Sequence, residues 1–243
     1  MIQPAITKVL FFDIETVGIT KDFLELEEKY PSLTKQFHNY FDWFLKRFPE
    51  DQGLTPAEVF VNRAALVPEF SKIVCASFAF VGPDGKTHSQ TFSGDNEKEV
   101  LLEFSQLLSQ HFNTTSHFLC AHNGKEFDFP FLCRRLLVNK IPLPKLLQIQ
   151  GFKPWEVKHL DTMEMWRFGD IKNFTSLNLL ANIFNVPSPK DDIDGSQIAK
   201  VFYEDKNIER IKTYCLKDVI TLARIYQCLK GLEPLNDDDI IYT

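Results

Sequence analysis

The 243-residue sequence has no C-x-x-C pair among its five cysteines, no apolar run of membrane-spanning length, no internal repeat and no excess of basic charge. Each absence removes a class of protein. Five is an odd number and the positions are scattered (Cys75, Cys120, Cys133, Cys215, Cys228), so neither a disulfide framework nor a structural zinc site is expected and the thiols read as reduced core residues. Without a spanning segment, and with first residues that lack the basic stretch and apolar core of a leader, the expectation is a cytoplasmic protein with no membrane partner. A formal charge of -6 argues against a protein that coats nucleic acid non-specifically, which needs a basic face, but not against one that grips a strand end. What remains is ordinary globular composition, 44% hydrophobic and 25% charged, in a chain long enough for one large core. A single domain over residues 1–243 is expected.

The chain is organised around residues 8–17, KVLFFDIETV, where a continuous apolar run ends in two carboxylates, Asp13 and Glu15. Val9 to Phe12 show no polar alternation, which predicts a central strand covered on both faces. The strand period of two then sends Asp13 and Glu15 to the same face with Ile14 behind them. Two acids so close repel, and a hard divalent cation that takes oxygen ligands is one way to hold them; a solvated strand end is the other.

Residues from about 19 to 70 read as a helical insertion dense in aromatics. Phe37, Phe41, Phe44 and Phe48 recur at helical spacing as a packing stripe ended by Pro49, while Tyr40, Trp43, Lys46 and Arg47 fall off it, where an exposed aromatic beside bases can stack on a nucleobase. Sheet character resumes in a hairpin, residues 72–81 and 86–92 around a Gly-Pro-Asp-Gly turn. A helix capped by Asn96, a strand at 117–121 and a helix from about 127 to 138 follow, with Pro130 tolerable in its first turn. Residues 158–162 read as a strand ending in Asp161, expected mainly as a helix cap. Thr175 or Ser176, then Ser196 and Asn207, are expected to cap the remaining helices, the last reaching Leu229, and Asp237 to Asp239 read as a solvated tail. In that last helix Cys215, Val219, Leu222, Tyr226 and Leu229 form the buried stripe, and Tyr214 and Asp218, four apart, stack on one face at its edge. An antiparallel hairpin beside parallel strands with helices on both faces is a mixed α/β sheet.

Three segments, FDIET (12–16), HNGKEFDFPFL (122–132) and YCLKD (214–218), resemble in order the three motifs of the DEDD 3′ to 5′ exonucleases, tyrosine branch. The second segment looks most like the proofreading domain of family B DNA polymerases and the stand-alone exonucleases related to it, and Asp192 to Ser196 is similar to a turn of that group. The resemblance implies a ribonuclease H-like fold in which Asp13, Glu15, Asp128 and Asp218 hold two magnesium or manganese ions, with Tyr214 orienting the attacking water. It implies that Thr16, Asn123, Gly124 and Phe127 lie beside the terminal nucleotide, although Phe127 reads rather as a buried anchor next to a ligand; from their position before the Thr175 cap alone, Lys172, Asn173 and Phe174 are candidates to meet the strand backbone. Single-stranded DNA is the substrate it favours, RNA being also within the family's range, with room for a repair or replication partner in trans. Two other readings compete: a non-catalytic relic of the fold, and a haloacid dehalogenase-like phosphatase, which the DIET segment faintly resembles but which leaves the second and third segments without a role.

Overall fold

The computed structural model describes residues 4–170, 172–188 and 192–242. In chain order its elements are β1 (Val9–Gly18), α1 (Phe23–Lys29), α2 (Pro31–Arg47), α3 (Pro56–Arg63), β2 (Ser71–Val81), β3 (Thr87–Ser93), α4 (Glu97–His111), β4 (Phe118–Ala121), α5 (Asp128–Val138), β5 (Leu160–Asp161), α6 (Thr162–Arg167), α7 (Leu177–Phe184), α8 (Ile198–Tyr203), α9 (Ile208–Leu229) and β6 (Ile240–Tyr242), joined by loops and short 3-10 turns. The six strands form one mixed sheet in the order β5-β4-β1-β2-β3-β6. β1 runs parallel to β4 and antiparallel to β2.

The unbroken apolar run of β1 follows from its place between two helical layers. Leu10, Phe12 and Ile14 pack with Phe104 of α4 and Phe129 of α5 on one face, while Val9 and Phe11 pack with Val219, Leu222 and Tyr226 of α9 on the other. Every side chain of the strand but that of Asp13 is thus removed from water, and alternation with polar residues would bury unpaired groups. β4 pairs with β1 only over Val9 to Phe11, so the end of β1 that carries the acids projects past its parallel neighbour. On the other side the β1/β2 register shifts between Glu15 and Thr16, whose partners are Cys75 and Ile73; this bulge bends the strands beside the acids.

The insertion has its own apolar centre, built on Phe37, Phe44, Phe60 and Phe70. Of the expected stripe, Phe37 and Phe44 are fully buried, whereas Phe41 and Phe48 only flank the cluster. The two ends of the segment are tied to each other where Ile19 N–H donates to the Phe70 carbonyl (2.9 Å), and its last part is tied to β1 where the Thr16 hydroxyl donates to the Ala65 carbonyl (2.7 Å).

Three expectations are corrected. The acidic segment 237–239 is a 3-10 turn leading into β6, tied down by Arg224 to Asp237 and Lys86 to Asp239 (2.7 Å), because β3 presents an open edge that β6 pairs in parallel. α8 begins after a turn capped by Asp194, not Ser196; the Asp194 carboxylate accepts Ser196 N–H at 2.9 Å. The strand expected at 158–162 is only Leu160–Asp161. Asn96, Ser176 and Asn207 cap α4, α7 and α9 as expected.

One buried ion pair clamps the face opposite α9. Glu97 and Arg135 meet in a bidentate fork (2.8 and 2.6 Å), and Glu97 also accepts from Ile73 N–H and the Asn139 amide while Arg135 donates to the Pro68 carbonyl. β2, α4, α5 and the exit of the insertion are thereby joined at one point, with the polar capacity of both partners nearly satisfied. Glu97→Ala, which leaves a buried guanidinium without its counter-charge, is expected to cost about 3–5 kcal/mol of folding free energy. Urea unfolding checks this, and a loss under about 1 kcal/mol, the value of an exposed pair, would show that the clamp is unimportant.

Candidate functional site

β1 carries Asp13 and Glu15 on its projecting end, and α5 and α9 bring the other two acids. Ligating atoms of Asp13, Glu15 and Cys215 all lie within 4.8 Å of one another. Asp13 is partly accessible; Glu15 and Asp128 are buried. Asp128 opens α5, where the helix dipole favours a negative charge, and its carboxylate accepts the backbone N–H of Ile14 on β1. Asp218 sits one helical turn beyond Tyr214 on α9, and the two side chains are hydrogen-bonded.

The electrostatics follow from this crowding. Burial, then the nearness of Asp218 and Asp128, holds the Asp13 carboxyl well above the usual carboxylate range; burial, then Asp13 and Asp218, does the same to Glu15. Burial, then the nearness of Asp161 and Asp218, pushes Asp128 up to about 7 against its own N–H and that of Ile14, which favour its charge. The Tyr214 phenol is raised above its ordinary value by burial first and by Asp218, Glu15 and Asp13 after that, so it keeps its proton. These groups want positive charge among them. Their oxygen atoms form the donor set that hard divalent cations prefer, and the residues present fit such ions.

Cys215, read from sequence as core, is at once core and neighbour of the acids. Its Sγ lies 3.6 Å from Asp13 Oδ2 and from the Asp13 carbonyl. Burial, then a hydrogen bond with Cys75, keeps the thiol protonated, which makes it a donor to Asp13 and not a soft ligand.

The loop after β4 is shaped by residues that are not ligands. Asn123 has a left-handed backbone (φ 63°), a conformation that Asn tolerates better than most residues. Its N–H and that of Lys125 donate to the two oxygens of Asp161 (3.0 and 3.1 Å), which also caps α6 through Met163 and Glu164. The cap expected of Asp161 is present, and the same carboxylate anchors the loop preceding Asp128. The His122 ring spans from Thr162 Oγ1 (2.9 Å) to the Thr175 carbonyl (2.8 Å), an arrangement in which Nε2–H donates and Nδ1 accepts. A Cβ on Gly124 would lie 2.4 Å from that of Ala121 and 3.2 Å from the Phe129 ring, so packing alone demands glycine there. Phe127 is partly buried against Phe131 (5.1 Å between centroids), and the Thr16 hydroxyl proton is committed to Ala65. Phe174 is exposed, and the Asn173 carbonyl accepts from Arg167 Nε (2.8 Å). Sequence reasoning does not reach the site-building roles of His122, Asp161 and Cys215; a carboxylate at a strand end beside a glycine loop is the one signal it offers.

The model of a family described as predicted 3′-5′ exonuclease related to the exonuclease domain of PolB matches residues 66–232. That span holds the segments around Asp128 and Asp218, and it leaves Asp13 and Glu15 outside. The structure is similar to that of the family B DNA polymerase from the hyperthermophilic archaeon Pyrobaculum calidifontis, with a TM-score of 0.55 at 15% identity over 88% of this chain. The chain spans 23% of that polymerase's length, and the likeness shows a ribonuclease H-like fold.

The raised carboxyls set a pH signature. Asp13, Glu15 and Asp128 bind protons more tightly folded than unfolded, where a carboxylate titrates near 4. Their contribution to stability is therefore full below about pH 4 and is lost as pH rises through about 7 for Asp128 and through the raised titration range of the other two. A bound cation relieves the same repulsion. The rise in Tm on adding manganese is thus expected to grow from pH 5 to pH 8, as scanning fluorimetry would show; an equal or absent rise at both pH values would mean that the acids do not bind the ion.

Proposed function

Because the chain belongs to the family of predicted 3′-5′ exonucleases related to the exonuclease domain of PolB, we propose that it removes nucleotides from the 3′ end of single-stranded nucleic acid, DNA in preference to RNA, by metal-dependent hydrolysis. The observation that carries this reading is the assembly of Asp13, Glu15 and Asp128 beside the Tyr214/Asp218 pair at the projecting end of β1. A relic of the fold would be expected to have lost a ligand, and none of the four carboxylates is missing. The phosphatase reading gives no part to Asp128, Tyr214 or Asp218.

Asp13, Glu15 and Asp218 would hold one magnesium or manganese ion, and Asp13 with Asp128 a second. Bound ions of this kind supply an acidified water and a counter-charge for the departing 3′ oxygen. Asp128, held by Ile14 N–H, is fixed in direction by the strand it serves. Tyr214 retains its proton at Oη, which makes it a poor base and a good positioning donor beside Asp218. The Tyr214/Asp218 pair supports the tyrosine-branch reading. Asn123 offers a side-chain amide that makes no hydrogen bond within the described residues, and with Gly124, Phe127 and Thr16 it would border the terminal nucleotide.

End-labelled single-stranded DNA and RNA of one sequence, incubated with manganese or with chelator, test the proposal. The expected result is a ladder shortening from the 3′ end that chelator abolishes, faster on DNA. Asp13→Asn and Asp218→Asn should fall close to background. Tyr214→Phe, which loses one hydrogen bond worth roughly 1–3 kcal/mol, should retain activity reduced about tenfold to a hundredfold. Shortening from the 5′ end, or activity indifferent to chelator, would overturn the mechanism; a folded Tyr214→Phe protein as inactive as Asp218→Asn would overturn the positioning role.

A further inference from the structure

On α2 the packing stripe of Phe37 and Phe44 uses one face, and Tyr40, Trp43 and Arg47, at steps of three and four, share another. Tyr40 and Trp43 are 50% and 40% exposed, with ring centroids 6.2 Å apart, and the Arg47 guanidinium lies 5.3 Å from the Trp43 ring. Across from them runs the outer face of α5, with Phe127, Pro130 and Arg134. The two walls enclose a groove of about 380 Å³ floored by Leu66 to Pro68. It continues past Arg47, Pro130 and Arg134 into a second cavity of about 680 Å³ bordered by Lys125 and the exposed Phe152.

Two residues that line this groove are chain neighbours of the candidate site: Phe127 immediately precedes Asp128, and Leu66 follows Ala65, whose carbonyl accepts from the Thr16 hydroxyl next to Glu15. The groove thus borders the segments that carry two of the acids. Its charge is suited to a polyanion: Arg47 and Arg134 are exposed and make no ion pair among the described residues, although Glu69 and Glu126 also line it and Lys125 is paired with Glu164 (2.6 Å). Aromatic faces interleaved with guanidinium groups in an open groove form the surface on which single strands lie, bases on the rings and phosphates on the arginines. An apolar protein segment laid here would bury two guanidiniums with no counter-charge, at considerable cost.

We propose that this groove, built jointly by the insertion and α5, is the track for the single strand on the 5′ side of the terminal nucleotide, with bases on Tyr40 and Trp43 and phosphates on Arg47 and Arg134. The inference rests on the exonuclease reading for the direction of the strand. The track is tolerant of sequence, because rings stack on any base and arginines meet only the backbone.

The test has a binding arm and a turnover arm. In chelator, where no cleavage occurs, a fluorescein-labelled 12-mer single strand should bind Tyr40→Ala/Trp43→Ala about tenfold or more weaker than the parent protein. Both rings touch the insertion's apolar centre, so Arg47→Glu/Arg134→Glu, at exposed positions, is a second variant whose folding is at less risk. It should lower affinity and flatten the dependence of log K on log salt by about 0.7 for each phosphate that is no longer neutralised. In manganese, the ratio of kcat/KM for the 12-mer over that for a dinucleotide, too short to enter the groove, should be large in the parent protein and collapse in both variants. Folded variants that keep the parent's affinity and length ratio would overturn the track, as would an equal loss of affinity for duplex DNA, which would signify only general charge. If the parent cleaves neither substrate, the exonuclease reading fails by itself, and the chelator arm still decides whether the groove binds a strand.

Discussion

Mutual repulsion among carboxylates at the end of β1 is the constraint around which the rest is arranged. Asp13, Glu15, Asp128 and Asp218 come from three elements far apart in sequence, and Asp13, Asp128 and Asp218 each raise the proton affinity of at least one of the others. Left to itself such a cluster would spread apart. It is kept together because each element is fixed by interactions well away from the charges. β1 is locked between two apolar layers, α9 by its long stripe against β1, and α5 by the Glu97/Arg135 clamp at its far end. The stability supplied there offsets the strain at the acids, the usual relation between a scaffold and a functional site.

Uncharged and non-ligating groups then set the direction of the acids. Cys215 donates to Asp13, Ile14 N–H holds Asp128, and Asp161 pins the loop that leads to α5. Asp161 shows how one carboxylate serves two elements: as the cap of α6 it needs only two N–H groups, and its remaining acceptor capacity takes two more from residues 123 and 125. Four N–H donors compensate a buried negative charge without a metal, and this distinguishes Asp161 from the acids of the cleft.

The sequence made the centre legible and the periphery less so. β1, α5 and α9 were readable because their signals are local and strong: an apolar run without alternation, a proline allowed only in a first turn, and a stripe of spacing three and four. β6 was not, since a three-residue strand following an acidic turn has no pattern of its own and exists because β3 offers it an edge. The same limit hid the second role of Cys215. A thiol at a stripe position reads as packing, and only the meeting of α9 with β1 places it beside Asp13. Asn123 and Gly124, too, are explained in part by a left-handed turn and by the closeness of Ala121 and Phe129, tertiary facts that a motif cannot display.

Net charge is the point at which composition and structure diverge most. A chain of formal charge -6 is a poor candidate for binding a polyanion if charge is treated as uniform. Four of the excess negative charges, however, belong to carboxylates gathered at the end of β1, where burial and crowding favour the protonated form of Asp13, Glu15 and Asp128. Others are spent locally on partners, as Asp51 is on Arg63 and Asp192 on Arg210. Arg47 and Arg134, by contrast, are left on the surface without an ion pair among the described residues, on the walls of the groove beside Phe127. What a phosphate chain would meet is the residual field along that path, within a Debye length of about 8–10 Å, and not the sum over the molecule.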